Sequence, residues 1–296
     1  MPQSNQSKDS SWQQLLPQVA RVLGRLEAWL ERQTPDSDAD PDAPAYRWRD
    51  GVLEPVLHPD VYPLDGLLNV EKSVARLREN ARTFVEGRPY LDVLLYGERG
   101  TGKSSAIRGL RGEFGTKGLR LIEVQREDLT HLSRIYAVLR DRPERFALFC
   151  DDLSFEADDA SYKALKAELD GGIEQRPPNV MLLATSNRRH LLPEYQRENQ
   201  EATISDEGEL RPGETAEEKL SLSDRFGLLL PFFSFDQDQY LRIVDYHATE
   251  LELKSRISAE ELRARSLRFA LERASRSGRT ARQACIAILQ DLESER

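Results

Sequence analysis

The feature that most constrains this chain is a glycine-rich turn between a predicted strand and a predicted helix. The apolar run LDVLLYG at residues 91–97 leads directly into GERGTGKS at residues 97–104, and residues 104–114 have helical character. This order of strand, G-x-x-x-x-G-K-S loop and helix is typical of a loop that wraps the phosphates of a nucleotide. The question is whether this loop drives an ATPase, works a switch, or is a chance match in a turn rich in Arg and Gly; the strand before it and the helix after it favour nucleotide binding.

The loop contains the residue types that binding of a polyphosphate requires. Backbone N–H groups that converge at a helix N-terminus hold phosphate well, and the helix dipole adds to the attraction. Glycines let the backbone approach the phosphates, Lys103 can neutralise the β and γ phosphates, and the Ser104 hydroxyl can ligate Mg²⁺. The predicted nucleotide-binding residues of the loop are Gly97, Glu98, Arg99, Gly100, Thr101, Gly102, Lys103, Ser104 and Ser105.

Two adjacent carboxylates follow a second apolar run, RFALFCDD at residues 145–152. A Mg²⁺-dependent hydrolase needs a carboxylate at the end of a strand that neighbours the phosphate loop. Asp151 would hold the metal through water, and Asp152 would orient or deprotonate the attacking water. The two acids could instead simply open the acidic loop DDLSFEADD, but their position at the end of a strand favours the catalytic interpretation.

Apolar runs and helical segments alternate after residue 60, which is typical of a parallel sheet covered by helices on both faces. Besides the two runs above, apolar runs occupy residues 118–124, 179–187 and 226–235. From residue 236 onward the sequence predicts helices and no strand. We therefore predict an α/β fold, with a three-layer αβα domain and a parallel five-stranded sheet at residues 60–235, followed by a helical lid domain at residues 236–296.

The first part of the chain differs from the rest in composition. Apolar residues within 12–32 recur at helical spacing, so residues 1–33 are predicted to contain an amphipathic helix. The tract TPDSDADPDAPA that follows is rich in Pro, Asp and Ala and cannot pack a core, which predicts a linker at residues 34–59. We expect the helix to cover its own domain, with docking on a partner as the alternative.

Composition excludes several other classes of protein. No apolar run approaches the ~20 residues that cross a bilayer, and the polar start lacks the hydrophobic segment of a signal peptide, so no membrane insertion is expected. Only two cysteines are present and the four histidines show no metal-ligand spacing, which fits a reducing cytoplasm. The net charge of -9 argues against broad nonspecific adhesion to DNA or anionic lipid.

Three further motifs complete a resemblance to the AAA-type (AAA+) ATPases that covers roughly residues 60–296. ATSN ends a predicted strand as the family's first sensor does, which implies that Asn187 lies beside the γ-phosphate and the attacking water. LSDRFG resembles the segment that bears the arginine finger, so Arg225 would reach the nucleotide of a neighbouring subunit. SRSGRTARQ resembles the second sensor, for which Arg279 is the better match and Arg282 the alternative.

The resemblance also implies properties of the whole assembly. The segment LDGLLNVEKSV lies where the family contacts adenine, so Leu67 and Leu68 would flank the base. The sheet order would be 5-1-4-3-2, the ligands would be ATP and Mg²⁺, and a homo-oligomer would act on a protein or nucleic-acid client. More narrowly, NRRHLLPEY, EEKLSLSDRFGL and SRSGR are similar to an uncharacterised bacterial family known as domain of unknown function 815.

Two departures from the AAA+ pattern bear on activity. Asp151 and Asp152 stand where most AAA+ enzymes carry Asp-Glu, an arrangement shared with bacterial replication initiators that behave as slow switches. Residues 124–134 lack the aromatic-apolar-glycine loop with which unfoldases thread a substrate. A threading unfoldase is therefore disfavoured, and slow turnover is expected.

The favoured function is Mg²⁺-dependent ATP hydrolysis that remodels or loads an unknown client. The alternative is an ATP-gated adaptor or loader with negligible turnover, and a small-molecule kinase is weakened because the chain ends in a helical domain rather than an acceptor pocket. For Arg225 the alternative to a finger is a local salt bridge, for example with Asp224. The predicted catalytic residues are Lys103, Asp152, Asn187, Arg225 and Arg279, and the predicted metal ligands are Ser104 and Asp151.

Overall fold

A computed structural model of the chain describes residues 23–25, 43–155, 159–171, 175–187, 191, 203–204, 210–211 and 222–294. Residues 23–25 are helical and exposed. The rest of the predicted N-terminal helix and residues 34–42 of the predicted linker lie outside the described residues. Within the described part of the chain, no helix is both long and apolar enough to span a bilayer.

A seven-stranded sheet lies at the centre of the structure, in the order β2-β1-β4-β5-β6-β3-β9. β1 and β2 pair antiparallel, and the neighbouring strands elsewhere in this sheet pair parallel. Its strands are β1 (Ala45–Arg49), β2 (Val52–Val56), β3 (Val93–Gly97), β4 (Leu119–Glu123), β5 (Arg145–Cys150), β6 (Val180–Ser186) and β9 (Leu228–Phe232). A separate antiparallel pair is formed by β7 (Thr203–Ile204) and β8 (Leu210–Arg211).

Helices cover both faces of the large sheet, which confirms the predicted three-layer αβα fold. They are α1 (Glu71–Val85), α2 (Lys103–Phe114), α3 (Leu132–Leu139), α4 (Ala160–Asp170), α5 (Gln237–Glu250), α6 (Ala259–Glu272) and α7 (Gly278–Ser294). One buried cluster joins α1 and α2 to the sheet through residues such as Leu77 and Ile107, and a second joins α3 and α4 through Ile135 and Leu165. The successive residues Leu94 and Leu95 are both 0% exposed, as expected for a strand that is covered on both faces.

The five strands predicted from the sequence have the order that the AAA+ resemblance implies. Numbered by their appearance among these five, β9-β3-β6-β5-β4 is the order 5-1-4-3-2. The fold is therefore the AAA+ type of phosphate-loop fold.

The hairpin of β1 and β2 corrects two of the predictions. Residues 45–56 belong to the sheet and not to a linker that runs to residue 59, and the sheet has seven strands instead of five. Tyr46 and Trp48 are each 1% exposed, so their burial favours the strand. The turn is made by Asp50 and Gly51, both at positive φ (50° and 84°), which is the backbone conformation of a tight hairpin turn.

The helical segment at the end of the chain packs onto the sheet domain. α5 begins with a capping box, in which the Gln239 N–H donates to Asp236 Oδ1 at 2.8 Å and the Asp236 N–H donates to Gln239 Oε1 at 3.0 Å. Val244 on α5 and Cys285 on α7 are buried in the same cluster as α1 and α2. This segment is continuous with the core, and it lies beside the end of β9 from which it starts.

We expect removal of residues 1–42 to leave a folded chain and removal of residues 1–57 to destabilise it severely, because the longer deletion removes β1 and β2 with their buried aromatic residues. The point variant Trp48→Ala should lower the free energy of unfolding by about 3–5 kcal/mol, as truncation of a buried Trp does. Leu57→Ala, at a residue that is 60% exposed, is the matched control. Chemical denaturation followed by circular dichroism measures both, and equal stabilities would show that the hairpin contributes nothing to the core.

Candidate functional site

The parallel sheet brings three polar chain segments to one edge. β6 lies between β3 and β5, and the carboxyl ends of parallel strands meet on the same side of a sheet. The glycine-rich loop follows β3, Asp151 and Asp152 follow β5, and Asn187 follows β6. Side chains far apart in the sequence are thus placed around a single crevice.

Glycine is needed at two positions of the loop, where the backbone has a positive φ and lies too close to its neighbours for a side chain. Gly97 has φ 132°, and a Cβ there would lie 2.0 Å from the carbonyl oxygen of Phe232, which also accepts a hydrogen bond from the Glu98 N–H at 3.1 Å. Gly102 has φ 102° and immediately precedes α2. Because the first N–H groups of a helix have no acceptor within the helix, the loop ends in donors suited to an anion.

The Lys103 side chain is the buried charge of this loop. Lys103 is only 7% exposed, and its Nζ donates to the carbonyl oxygens of Gly97 and Glu98 at 2.7 Å each and to Asn187 Oδ1 at 3.1 Å. Burial lowers the pKa of the Lys103 ammonium from its ordinary value, whereas the nearby carboxylates, that of Asp152 foremost, oppose this shift. The ammonium is held beneath the loop by oxygen atoms from two strand ends.

Asp151 lies where a magnesium ligand is expected. Its Oδ1 accepts hydrogen bonds from the Ser104 hydroxyl at 2.7 Å and from the Thr185 hydroxyl at 2.5 Å. Among the described residues, no group of three or more His, Cys, Asp or Glu side chains could hold a metal ion. A hydroxyl and one carboxylate suit Mg²⁺, which commonly keeps several waters and takes its remaining ligands from substrate phosphates.

Asp152 is linked to the first-sensor residue of the resemblance. The Asn187 Nδ2 group donates to Asp152 Oδ1, and the Arg99 guanidinium lies 4.0 Å from Asp152 Oδ2. Asp152 itself adopts φ 53°, a left-handed conformation that is uncommon for residues other than glycine. Asn187 therefore joins Lys103 to Asp152 through its two amide atoms.

The segment predicted to contact adenine lies between α2 and α5. Leu67 is buried, and its Cδ2 lies 2.9 Å from the position that a Cβ on Gly102 would occupy. Leu68 belongs to a cavity of about 470 Å³ whose other lining residues lie on α5. These are Arg242, Asp245, Tyr246, Thr249 and Glu250. The contact of either leucine with a base stays a prediction.

The start of α7 lies against the phosphate loop. The Gly278 N–H donates to the Gly100 carbonyl oxygen at 2.9 Å, and a Cβ on Gly100 would lie 2.7 Å from Ser277 Oγ and 3.5 Å from Arg279 Cβ. Arg279 is exposed. Arg282 lies one helical turn further along α7. Burial raises the pKa of the Tyr62 hydroxyl, and the charge of Arg282 opposes that increase. The backbone of Arg279 is thus beside the loop, and the role of Arg279 or Arg282 as the second sensor stays a prediction.

Arg225 lies outside this network. It follows a helical turn at residues 222–224 and forms an ion pair with Asp170, the last residue of α4. The Arg225 side chain is 25% exposed and that of Asp170 is 45% exposed. A salt bridge of Arg225 with an acid is therefore observed, and the acid is Asp170 at the end of α4 instead of the adjacent Asp224. The expected reach of Arg225 into a neighbouring subunit stays a prediction.

Most of the chain matches one protein family by sequence. Residues 41–292 match the family described as "Protein of unknown function (DUF815)". The chain belongs to this family. No curated protein matches this DUF815 member.

Solved structures of RuvB from Thermotoga maritima are similar to the DUF815 chain. Two single-substitution variants match at 16% identity each. The match to the first has a TM-score of 0.48 and covers 76% of this chain and 62% of the RuvB chain. The match to the second has a TM-score of 0.49 and covers 78% of this chain and 66% of the RuvB chain. A RuvB described as a Holliday junction branch migration motor matches at 16% identity and a TM-score of 0.39, covering 74% and 68%. The DUF815 chain spans less than two thirds of the first of these.

Thr185 is a residue of the site that the sequence reasoning missed. It lies within the ATSN motif, two positions before Asn187, and residues two positions apart on a strand face the same side of the sheet. That spacing from Asn187 was the available signal. By contrast, Cys150, which directly precedes Asp151, is fully buried, and burial raises the pKa of its thiol to about 12, so it is unsuited to be a nucleophile.

We expect Lys103→Ala to abolish ATP binding while the chain stays folded, because the change removes the cation that faces the phosphates and leaves the hydrophobic clusters intact. Titration with a fluorescent ATP analogue measures the affinity, and circular dichroism checks the fold. Lys72→Ala, at an exposed lysine of α1, should bind like the unsubstituted protein. Unchanged affinity of Lys103→Ala would remove the phosphate-loop assignment.

Proposed function

We propose that this DUF815 protein is a Mg²⁺-dependent ATPase of the AAA+ type whose nucleotide cycle remodels or loads a client. The observation that carries the proposal is one hydrogen-bonded network at the carboxyl edge of the sheet. It contains Lys103, Ser104, Asp151, Asp152 and Asn187, and the Thr185 hydroxyl connects the Asp151 side chain to the Asp152 backbone. The first five residues were predicted from three separate motifs, and their meeting in one crevice supports a common role.

The binding step would use the loop and the start of α2. The neutral oxygens that now accept from Lys103 are weaker partners for an ammonium than a phosphate is. Lys103 can therefore exchange them for the β and γ phosphates without leaving the loop. Ser104 and Asp151 would hold Mg²⁺, which neutralises phosphate charge and orients the γ-phosphate.

The hydrolytic step would use the second carboxylate. Asp152 is exposed and accepts a hydrogen bond from Asn187, so a water beside the two side chains can donate a hydrogen bond to the carboxylate. Asp152 would then orient the water or accept its proton. Asn187 would hold that water at a fixed position relative to Lys103, because the Asn187 side-chain amide contacts both Lys103 and Asp152.

A second candidate, an ATP-gated adaptor with negligible turnover, has an observation in its favour. One oxygen of Asp152 accepts a hydrogen bond from Asn187 and the other lies 4.0 Å from the Arg99 guanidinium, so the carboxylate that would orient the attacking water is already engaged by other groups. Such a protein would bind ATP and change its affinity for a client without steady release of phosphate. Measurement of steady-state phosphate release, with and without added client candidates, separates the two functions.

We expect Asp152→Asn to keep ATP affinity but to slow hydrolysis by roughly 10²–10⁴-fold, the usual contribution of a positioned general base. Asp151 still holds the metal in this variant, whereas the water loses its acceptor. The measurement is single-turnover hydrolysis of radiolabelled ATP together with a binding titration. Asp152→Glu, which restores a carboxylate, should preserve or raise the rate. Hydrolysis at the unsubstituted rate by Asp152→Asn would mean that another residue orients the water.

We expect Arg225 to act on the nucleotide of a neighbouring subunit, so Arg225→Ala should bind ATP but hydrolyse it slowly. A trans arginine contributes roughly 10³–10⁵ in rate in well-studied GTPases, and a slow switch gains less. Mixing Arg225→Ala with Lys103→Ala should restore part of the activity, because the first binds ATP and the second donates the arginine.

Subunit exchange must be verified by crosslinking before the mixing result is interpreted. Asp170→Ala is the matched control, because it removes one ion-pair partner of Arg225 and keeps the guanidinium. Asp170→Ala should retain activity on its own. Mixed oligomers without recovered activity would contradict the trans role, as would normal hydrolysis by Arg225→Ala.

A further inference from the structure

Thr185 contacts both carboxylate residues of the candidate site. It lies near the end of β6 and is 1% exposed. Its hydroxyl donates to Asp151 Oδ1 at 2.5 Å and accepts a hydrogen bond from the Asp152 N–H at 2.8 Å. A threonine hydroxyl has one hydrogen to donate and lone pairs to accept, so the single side chain serves the side chain of one aspartate and the backbone of the next.

The bond to the Asp152 N–H has a conformational consequence. Asp152 adopts φ 53°, and residues held in the left-handed region persist only where their surroundings stabilise them. The Thr185 hydroxyl supplies such a restraint from the neighbouring strand. With the Asp152 backbone in this conformation, the Asp152 side chain accepts a hydrogen bond from Asn187.

The side chain acts apart from the backbone of the same residue. The Thr185 carbonyl oxygen accepts from the Leu153 N–H at 2.7 Å, so the chain after β5 is anchored to β6 even without the hydroxyl. Loss of the hydroxyl would therefore leave the path of the chain in place. It would remove the acceptor of the Asp152 N–H and one of the two donors to Asp151 Oδ1, and the Ser104 hydroxyl would still donate to that oxygen.

We propose that Thr185 is the positioning residue of the metal site: its hydroxyl holds the Asp151 carboxylate beside Ser104 and fixes the conformation of Asp152. The inference rests on the proposed function, because it assigns Thr185 a role toward the Mg²⁺ that accompanies ATP. Outer partners that orient a metal ligand typically contribute 10–100-fold to metal affinity or activity. Thr185 should thus affect the metal dependence of binding more than nucleotide binding itself.

The test compares Thr185→Val with Thr185→Ser. Valine keeps the shape of threonine and removes the hydroxyl, whereas serine keeps the hydroxyl. Thr83→Val is the matched control, because the Thr83 hydroxyl donates to the Asn80 carbonyl oxygen within α1, away from the crevice. The affinity for a fluorescent ATP analogue is measured in EDTA and across a series of Mg²⁺ concentrations, followed by the rate of hydrolysis and the unfolding temperature.

For Thr185→Val we expect unchanged affinity in EDTA, an unchanged unfolding temperature, and a requirement for about 10–100-fold more Mg²⁺ to reach half of the metal-dependent effect. Thr185→Ser and Thr83→Val should behave like the unsubstituted protein. A Thr185→Val variant with normal Mg²⁺ dependence, or one that loses affinity equally in EDTA and in Mg²⁺, would overturn the inference alone. An unsubstituted protein that binds no ATP at any Mg²⁺ concentration would overturn the proposed function and this inference together.

Discussion

The ammonium group of Lys103 is the charge around which the candidate site is arranged. A buried cation is costly unless it is hydrogen-bonded, and Lys103 finds its three acceptors at the ends of β3 and β6. This requirement fixes the loop against the sheet and brings Asn187 toward the loop. Asn187 in turn reaches Asp152, so the position of the second carboxylate depends on where the lysine is buried. The order of the strands makes the glycine-rich loop, the two aspartates and Asn187 neighbours, and the buried ammonium of Lys103 determines how close the loop and Asn187 lie.

Much of the fold was predictable because strongly apolar strands alternate with helices. β3, β5 and β6 are nearly continuous apolar runs, and their burial on both faces follows directly from a parallel sheet. The hairpin of β1 and β2 was missed because charged residues alternate with Tyr46, Trp48 and Leu53, and because the acidic tract before it suggested a linker. The pair Asp50-Gly51 was the signal that could have corrected this, since Asp-Gly between alternating residues favours a two-residue hairpin turn.

The site was predictable to the extent that it follows from motifs. Lys103, Ser104, Asp151, Asp152 and Asn187 meet because strand ends meet. The spacing of Thr185 from Asn187 was a signal too weak to assign it, because a threonine inside an apolar strand is equally compatible with simple core packing. The role of Thr185 depends on a hydroxyl that contacts the two residues directly after the neighbouring strand β5, which is a matter of register between strands. The partner of Arg225 likewise depends on where α4 ends.

The ion pair between Arg225 and Asp170 is compatible with a role for Arg225 in a neighbouring subunit. Asp170 closes α4, where the helix dipole disfavours a negative charge, so a guanidinium at this end compensates both the carboxylate and the dipole. Both side chains remain partly exposed, and exposed ion pairs contribute only about 0–1 kcal/mol. A phosphate group carries more charge and more acceptor oxygens than one carboxylate, and it binds a guanidinium more strongly. Asp170 would therefore hold Arg225 in a defined place on a single subunit and release it at low cost when a neighbour's nucleotide comes within reach.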